Sequence, residues 1–301
     1  MNTINENQID NRQQTLTSFR DKWEQNQQLA FSETLRVGSD IFNWILNRNG
    51  FFTLLEFGEW LSSKNRILDA GCGNGRVTAL LRQHSKKSAA IVGIDLTAAE
   101  VARQNLVGME RVDIKVKDLL GDLSDLGKFN LIYCQEVLHH TSDPKGSFLN
   151  LCGRLANGGE IAIYVYKQKA PIREYADDYI RGRISNLSYD EALSVMKQLT
   201  ELGKVLSDLK VNVTVPEVEV LGIEAGEYDV QRFVYHFFLK CFWNPSLCGQ
   251  ENAAINYDWY HPQLCTRHTL PEVEAWFDEA SLTIIHRCVD HYGITVRGLK
   301  L

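Results

Sequence analysis

Two acids and three glycines hold the most specific chemical pattern in this sequence. Asp69 precedes Gly71, Gly73 and Gly75 in Ile67-Leu68-Asp69-Ala70-Gly71-Cys72-Gly73-Asn74-Gly75-Arg76, and Asp95 closes the apolar run Ala89-Ala90-Ile91-Val92-Gly93-Ile94. Glycine turns the backbone tightly and admits a ligand where a Cβ atom would stand. Val77–Leu81 reads as the first turns of a helix, whose unpaired N–H groups suit polar or anionic parts of such a ligand. A carboxylate at the end of a second strand can accept from both hydroxyls of a ribose. The pattern predicts an adenosine-bearing cofactor, and its G-x-G-x-G spacing departs from the G-x-G-x-x-G of dinucleotide binders.

A second group could move protons. His139 and His140 follow the apolar run Phe129–Cys134, and an imidazole titrates close enough to neutrality to take a proton from a hydroxyl. Neighbouring side chains diverge, so one of the two is expected to face a reacting group, and the sequence does not say which. Tyr164 and Tyr166 end a further apolar run and are candidates to orient the base or a substrate.

The elements that must position these residues alternate regularly. Strands are predicted at 66–70, 89–94, 112–116, 129–134 and 159–166, with helices at 75–84, 97–106 and 144–155 between them. This order predicts an α/β fold, a parallel sheet with helices on both faces. Ligands in such sheets bind at the carboxyl ends of the strands, where Asp69, Asp95 and the residues after Tyr133 fall.

Asp69 with the three glycines resembles motif I of class I S-adenosylmethionine-dependent methyltransferases. The stretch Phe129–Pro144, with Val137-Leu138-His139-His140-Thr141, resembles the fourth-strand region of small-molecule members, where a loop passes between methyl donor and acceptor. Leu151–Tyr166, with its Gly158-Gly159 turn, completes the likeness. It is strong over residues 60–166 and 262–301 and elsewhere reaches only a bacterial subgroup with a large insertion, which Asp258-Trp259-Tyr260-His261-Pro262 followed by Arg267-His268-Thr269 resembles.

The resemblance implies a Rossmann-like seven-stranded methyltransferase sheet that uses S-adenosyl-L-methionine and releases S-adenosyl-L-homocysteine. It implies cofactor contacts from Asp69, Gly71, Gly73, Gly75, Asp95 and Leu96, and an adenine contact from Asp118 beside Leu119. Backbone carbonyls at Cys134 and Gln135 would face the cofactor's ammonium group. Arg36 would reach its carboxylate, or else stay solvated. Similar paired histidines serve as the base in some natural-product O-methyltransferases, which carries that role onto His139 or His140. Cytosine-C5 methyltransferases place a nucleophilic cysteine near this strand end, but their proline-cysteine context is absent, so the Cys134 side chain reads as packing.

Four stretches follow. Residues 1–59 are expected as an N-terminal helical segment or lid: disordered or frayed over 1–15, helical from Leu16 to about Gln28, then helical through Ile41–Leu46 behind a Ser39 or Asp40 cap, over the cofactor or else packed on the sheet. Residues 60–166 form the cofactor-binding core. In 167–256 the alternation stops, and helices are predicted at 171–182, 188–208 and 228–243. This insertion is expected as a mostly helical cap over the acceptor, or else a subdomain or homodimer contact. Residues 257–301 return to the core with a helix capped by Thr269 and strands at 281–288 and 293–298. Arg173, Tyr257, Tyr260, His261, Arg267 and His268 are candidates for orienting a polar or anionic acceptor.

Composition narrows the partners. The net charge of −6, without a dense basic run, disfavours nucleic acid. The polar first fifteen residues are unlike a signal peptide, and no apolar run reaches membrane-spanning length. Seven cysteines without a C-x-x-C pair suit reduced thiols, so a cytoplasmic protein with no membrane association is expected. Cys241, Cys248, His261, Cys265 and His268 match no standard zinc spacing, and no metal is expected. The activity expected is methylation of a small molecule or peptide, foremost O-methylation, as in secondary metabolism. The alternatives are N-methylation, carboxymethyl-type transfer from a modified donor, a nicotinamide-dependent oxidoreductase, and a cofactor-binding protein without catalysis.

Overall fold

The computed structural model describes residues 6–301; the disorder expected of residues 1–5 lies outside them. The strands are β1 (Arg66–Ala70), β2 (Ala90–Asp95), β3 (Val112–Val116), β4 (Phe129–Gln135), β5 (Leu155–Tyr166), β6 (Asn212–Val215), β7 (Gly226–Asp229), β8 (Thr283–Val289) and β9 (Gly293–Leu299). Seven of them form one sheet in the order β3-β2-β1-β4-β5-β9-β8. Strands β1 to β5 run parallel, and β9 runs antiparallel between β5 and β8. This is the Rossmann-like methyltransferase sheet, with its terminal strand pair. Its order reverses between β1 and β4, the place where open α/β sheets receive ligands.

Both faces of the sheet are covered, which is why its strands read as continuous apolar runs. On one face Ile67, Ile91, Leu131, Tyr133 and Ala162 pack with Phe42, Ile45, Phe57, Leu61 and Leu80 from the helices Asp40–Arg48, Leu54–Ser62 and Arg76–His84. On the other, Leu68, Val92, Ile132 and Ile163 pack with Phe148, Leu151, Val273 and Phe277 from the helices Pro144–Cys152 and Leu270–Glu279. Local capping starts these helices where expected. The Ser39 hydroxyl accepts from the Phe42 N–H at 3.0 Å, and Thr269 accepts from Glu272.

The chain divides into two compact units. One comprises the described residues up to Lys22 together with Gln168–Cys265, and the other Trp23–Lys167 with Thr266–Leu301. The seven-stranded sheet lies in the second. Residues 23–59 therefore belong with the sheet, and 257–265 with the helical unit, a different division from the expected boundaries at 59 and 256.

Two expectations about the helical unit are corrected. Residues Glu6–Gln25 form one helix, where the polar sequence to residue 15 suggested disorder. Its polar side chains hold tertiary backbone: Gln14 donates to the Ser185 and His261 carbonyls and accepts from the Gln263 N–H, while Thr15 accepts from Leu264. The aromatic stretch 228–243 is helical only over Val230–Phe237 and follows the hairpin β6/β7, which period-2 reading missed. Gly249–Tyr260 forms a further helix. Among the described residues no helix is long and apolar enough to cross a membrane.

Candidate active site

β1 delivers Asp69 to the carboxyl edge of the sheet. The carboxyl is 2% exposed, and the Thr78 hydroxyl donates to it at 2.6 Å. Burial pushes its pKa up to about 7, against the opposing pull of Thr78 and Arg76. Gly71 and Gly73 both have positive φ, 78° and 53°. A Cβ atom on Gly71 would overlap Val137, and one on Gly73 would stand 2.8 Å from the Trp23 ring. The neighbouring Cys72 thiol is buried and held far above its usual pKa, so it is no nucleophile.

Asp95 joins the two strand ends. Its carboxylate accepts from the Gly73 N–H at 3.0 Å and from the N–H groups of Thr97 and Ala98 at 2.8 Å, with Leu96 in the turn between. After β3, Asp118 accepts from the Leu120 N–H at 3.1 Å, and Leu119 is buried in the core. Arg36 is exposed and pairs with Glu33, the solvated arrangement. Sequence reading missed Arg76, which donates to the Thr34 hydroxyl at 2.9 Å and to Glu136 at 3.3 Å, tying the glycine loop to the loop after β4. Glu136 has φ 59°, a left-handed conformation uncommon outside glycine and concentrated at functional turns. The signal available was adjacency: Arg76 follows Gly75, and Glu136 precedes the paired histidines.

β4 and β5 bring the remaining groups together. The Cys134 side chain is fully buried, its thiol pushed far up by burial, and it packs. Gln135 is paired in register with Tyr164. The turn Leu138–His140 is anchored by the Thr266 N–H and hydroxyl, which donate to the His139 carbonyl at 2.9 and 3.2 Å. His139 is 0% exposed, its ring against Tyr166 with centroids 3.7 Å apart. His140 is partly exposed and lies edge-on to Tyr166 at 5.5 Å. Tyr164 stands 6.4 Å from His139 and 6.2 Å from Tyr166.

The six expected acceptor residues separate. His268 is in the sheet unit, where its N–H donates to the Tyr166 carbonyl at 2.9 Å and its ring bridges Thr266 and Glu272. Arg267 beside it is half-buried. The other four are interior to the helical unit. Arg173 pairs with fully buried Asp177 at 2.8 Å and donates to the Tyr235 carbonyl, and the Tyr260 hydroxyl donates to Asp177 at 2.9 Å. His261 stacks on Tyr257 at 4.4 Å, and its ring nitrogens meet Ser18 and the Leu187 carbonyl. Burial holds the His261 pKa below its usual value. Among the described residues no group of three His, Cys, Asp or Glu side chains is placed to hold a metal ion.

The family model described as a methyltransferase domain matches residues 43–203, from within the helix Asp40–Arg48 through β5 and beyond. The chain belongs to this methyltransferase family. Its sheet is that of the class I, S-adenosylmethionine-dependent methyltransferases, which answers the choice of cofactor that Asp95 alone left open and sets the nicotinamide reading aside. Over 120 residues this methyltransferase is 40% identical to an uncharacterised protein of Synechococcus sp., covering 36% of this chain and 28% of that protein. Over 112 residues it is 34% identical to a ubiquinone biosynthesis O-methyltransferase of Alkalilimnicola ehrlichii, covering 35% of this chain and 43% of the relative. The matches thus span less than half the length of either relative. A magnesium protoporphyrin IX methyltransferase of Synechocystis, solved with S-adenosylmethionine bound, is similar at a TM-score of 0.47 and 12% identity, covering 95% of this chain and 97% of that one.

Proposed function

We propose that this chain is a cytoplasmic S-adenosylmethionine-dependent methyltransferase of a small molecule, that it methylates oxygen, and that His140 is the general base. The glycine loop suits the cofactor: its positive-φ turns form a cradle that a side chain would fill, beside the Asp95 carboxylate. Asp69, Gly71, Gly73, Gly75, Asp95, Leu96, Asp118 and Leu119 would hold it, with the backbone carbonyls of Cys134 and Gln135. Bound there, the cofactor supplies a methyl group already activated on a sulfonium. The chain has then to align a hydroxyl and remove its proton.

The asymmetry of the histidine pair carries the reading. His139 is enclosed, its ring against Tyr166, while His140 is only partly buried and is the one of the two that an acceptor can approach. Tyr164 and Tyr166, on one face of β5 by strand alternation, restrict both rings. The test is a mass screen of hydroxylated small molecules with isotope-labelled donor, beside calorimetry with S-adenosylhomocysteine. An O-methylated product lost in His140→Ala, with product affinity for the donor site intact, supports the reading. Methylation on nitrogen or sulfur, or full activity in His140→Ala, overturns it.

A further inference from the structure

Arg48 ends the helix Asp40–Arg48 inside the sheet unit, 2% exposed, and none of its guanidinium nitrogens has a well-formed hydrogen bond within 3.5 Å. It sits in the corner of two rings, 3.7 Å from the centre of Trp44 and 4.2 Å from that of Tyr164. Aromatic faces favour a cation but accept nothing from the in-plane N–H groups of a guanidinium. A buried charge with unanswered donors is costly and calls for an acceptor.

The polar groups around it are donors themselves or acceptors engaged by other partners. The Gln135 side-chain N–H₂ is also buried without a partner. The Tyr133 hydroxyl gives its proton to Gln135 Oε1 and accepts from Asn49 at 3.0 Å, so its oxygen, beside the Arg48 guanidinium, is already engaged and offers that fork a long contact at most. The nearby Asp290 carboxylate faces the Trp44 indole at 3.4 Å and accepts from the N–H groups of Tyr292 and Gly293. Tyr164 and Gln135 are register partners at the carboxyl ends of β5 and β4, and Tyr164 also borders His139. The orphan donors therefore stand at the edge of the sheet where the reaction is proposed.

We propose that Arg48, aided by Gln135, binds a carboxylate on the methyl acceptor. A planar carboxylate matches the guanidinium fork through two parallel N–H···O bonds. The assignment of that carboxylate to an acceptor rests on the methyltransferase reading; the anion site itself does not.

The full chain, with and without saturating S-adenosylhomocysteine, is titrated with sodium acetate, sodium benzoate, benzamide and inorganic phosphate. The readouts are the Arg48 Nε–H resonance, assigned by its loss in Arg48→Lys, and the wild-type Tm, which needs no variant. Acetate or benzoate should move the resonance saturably and raise Tm, and benzamide should do neither. Arg48→Lys, which loses the fork, should bind the carboxylate about tenfold more weakly or worse. Carboxylates no better than benzamide, saturation by phosphate alone, or wild-type affinity in Arg48→Lys overturns the proposal. Calorimetry with S-adenosylhomocysteine on the same sample separates the two readings: absent donor binding with an intact carboxylate response sinks the methyltransferase reading, and the reverse sinks only the carboxylate site.

Discussion

His139 lies on the face of Tyr166, centroids 3.7 Å apart with 30° between the planes, while His140 meets the same ring edge-on at 88°. One tyrosine at the end of β5 thus packs two adjacent imidazoles in different ways and leaves them unequally accessible.

That inequality separates two variants. His140→Ala should lower kcat by about 10²–10⁴, the range for losing a general base. Its affinity for S-adenosylhomocysteine should be unchanged, and the acidic limb of its pH–rate profile should vanish. His139→Ala should instead destabilise the fold by about 1–3 kcal/mol, from lost packing in a filled site. Denaturant melts and pH–rate profiles distinguish them, and an exchange of the two phenotypes would put the base at His139.

Asp95 accepts N–H donors from both loops at the cofactor edge. Asp95→Ala should weaken S-adenosylhomocysteine binding by roughly 1.5–3 kcal/mol. Gly73→Val should do worse, since a branched side chain would meet Trp23 from a positive-φ backbone. Calorimetric affinity unchanged in both variants would move the donor site elsewhere.

Asp69 titrates near 7 when folded, against an ordinary value of 3.8. Between these values the folded chain holds a proton that the unfolded chain has released. The stability from that protonated carboxyl is fully present below the ordinary value and is lost as pH rises through about 7. Tm of the wild type should therefore fall more from pH 4 to 7 than Tm of Asp69→Asn. Parallel curves for the two proteins would refute the shift.

Asp177 accepts from Arg173, Trp259 and Tyr260 at one fully buried point. Asp177→Ala should cost about 3–5 kcal/mol by leaving the Arg173 charge buried and uncompensated. S-adenosylhomocysteine affinity should stay at the wild-type value. A variant as stable as wild type would leave Arg173 available for a ligand.

The sequence alone determined the sheet and its cofactor edge. Strands buried on both faces must be apolar throughout, and Gly71 and Gly73 adopt a backbone that β-carbons resist, so residue type reports structure locally. The caps at Ser39 and Thr269 were legible for the same reason, each bonding an N–H three residues on. Tertiary structure decided what depends on distant partners. Gln14 and Thr15 read as disorder because the backbone they hold lies at Ser185 and Gln263–Leu264. Arg173 and Tyr260 read as acceptor ligands because their polarity was visible and the buried Asp177 that engages it was not. Arg48 passed unnoticed because a charged helix end ordinarily faces water; only the meeting of Trp44 with Tyr164 of β5 enclosed it.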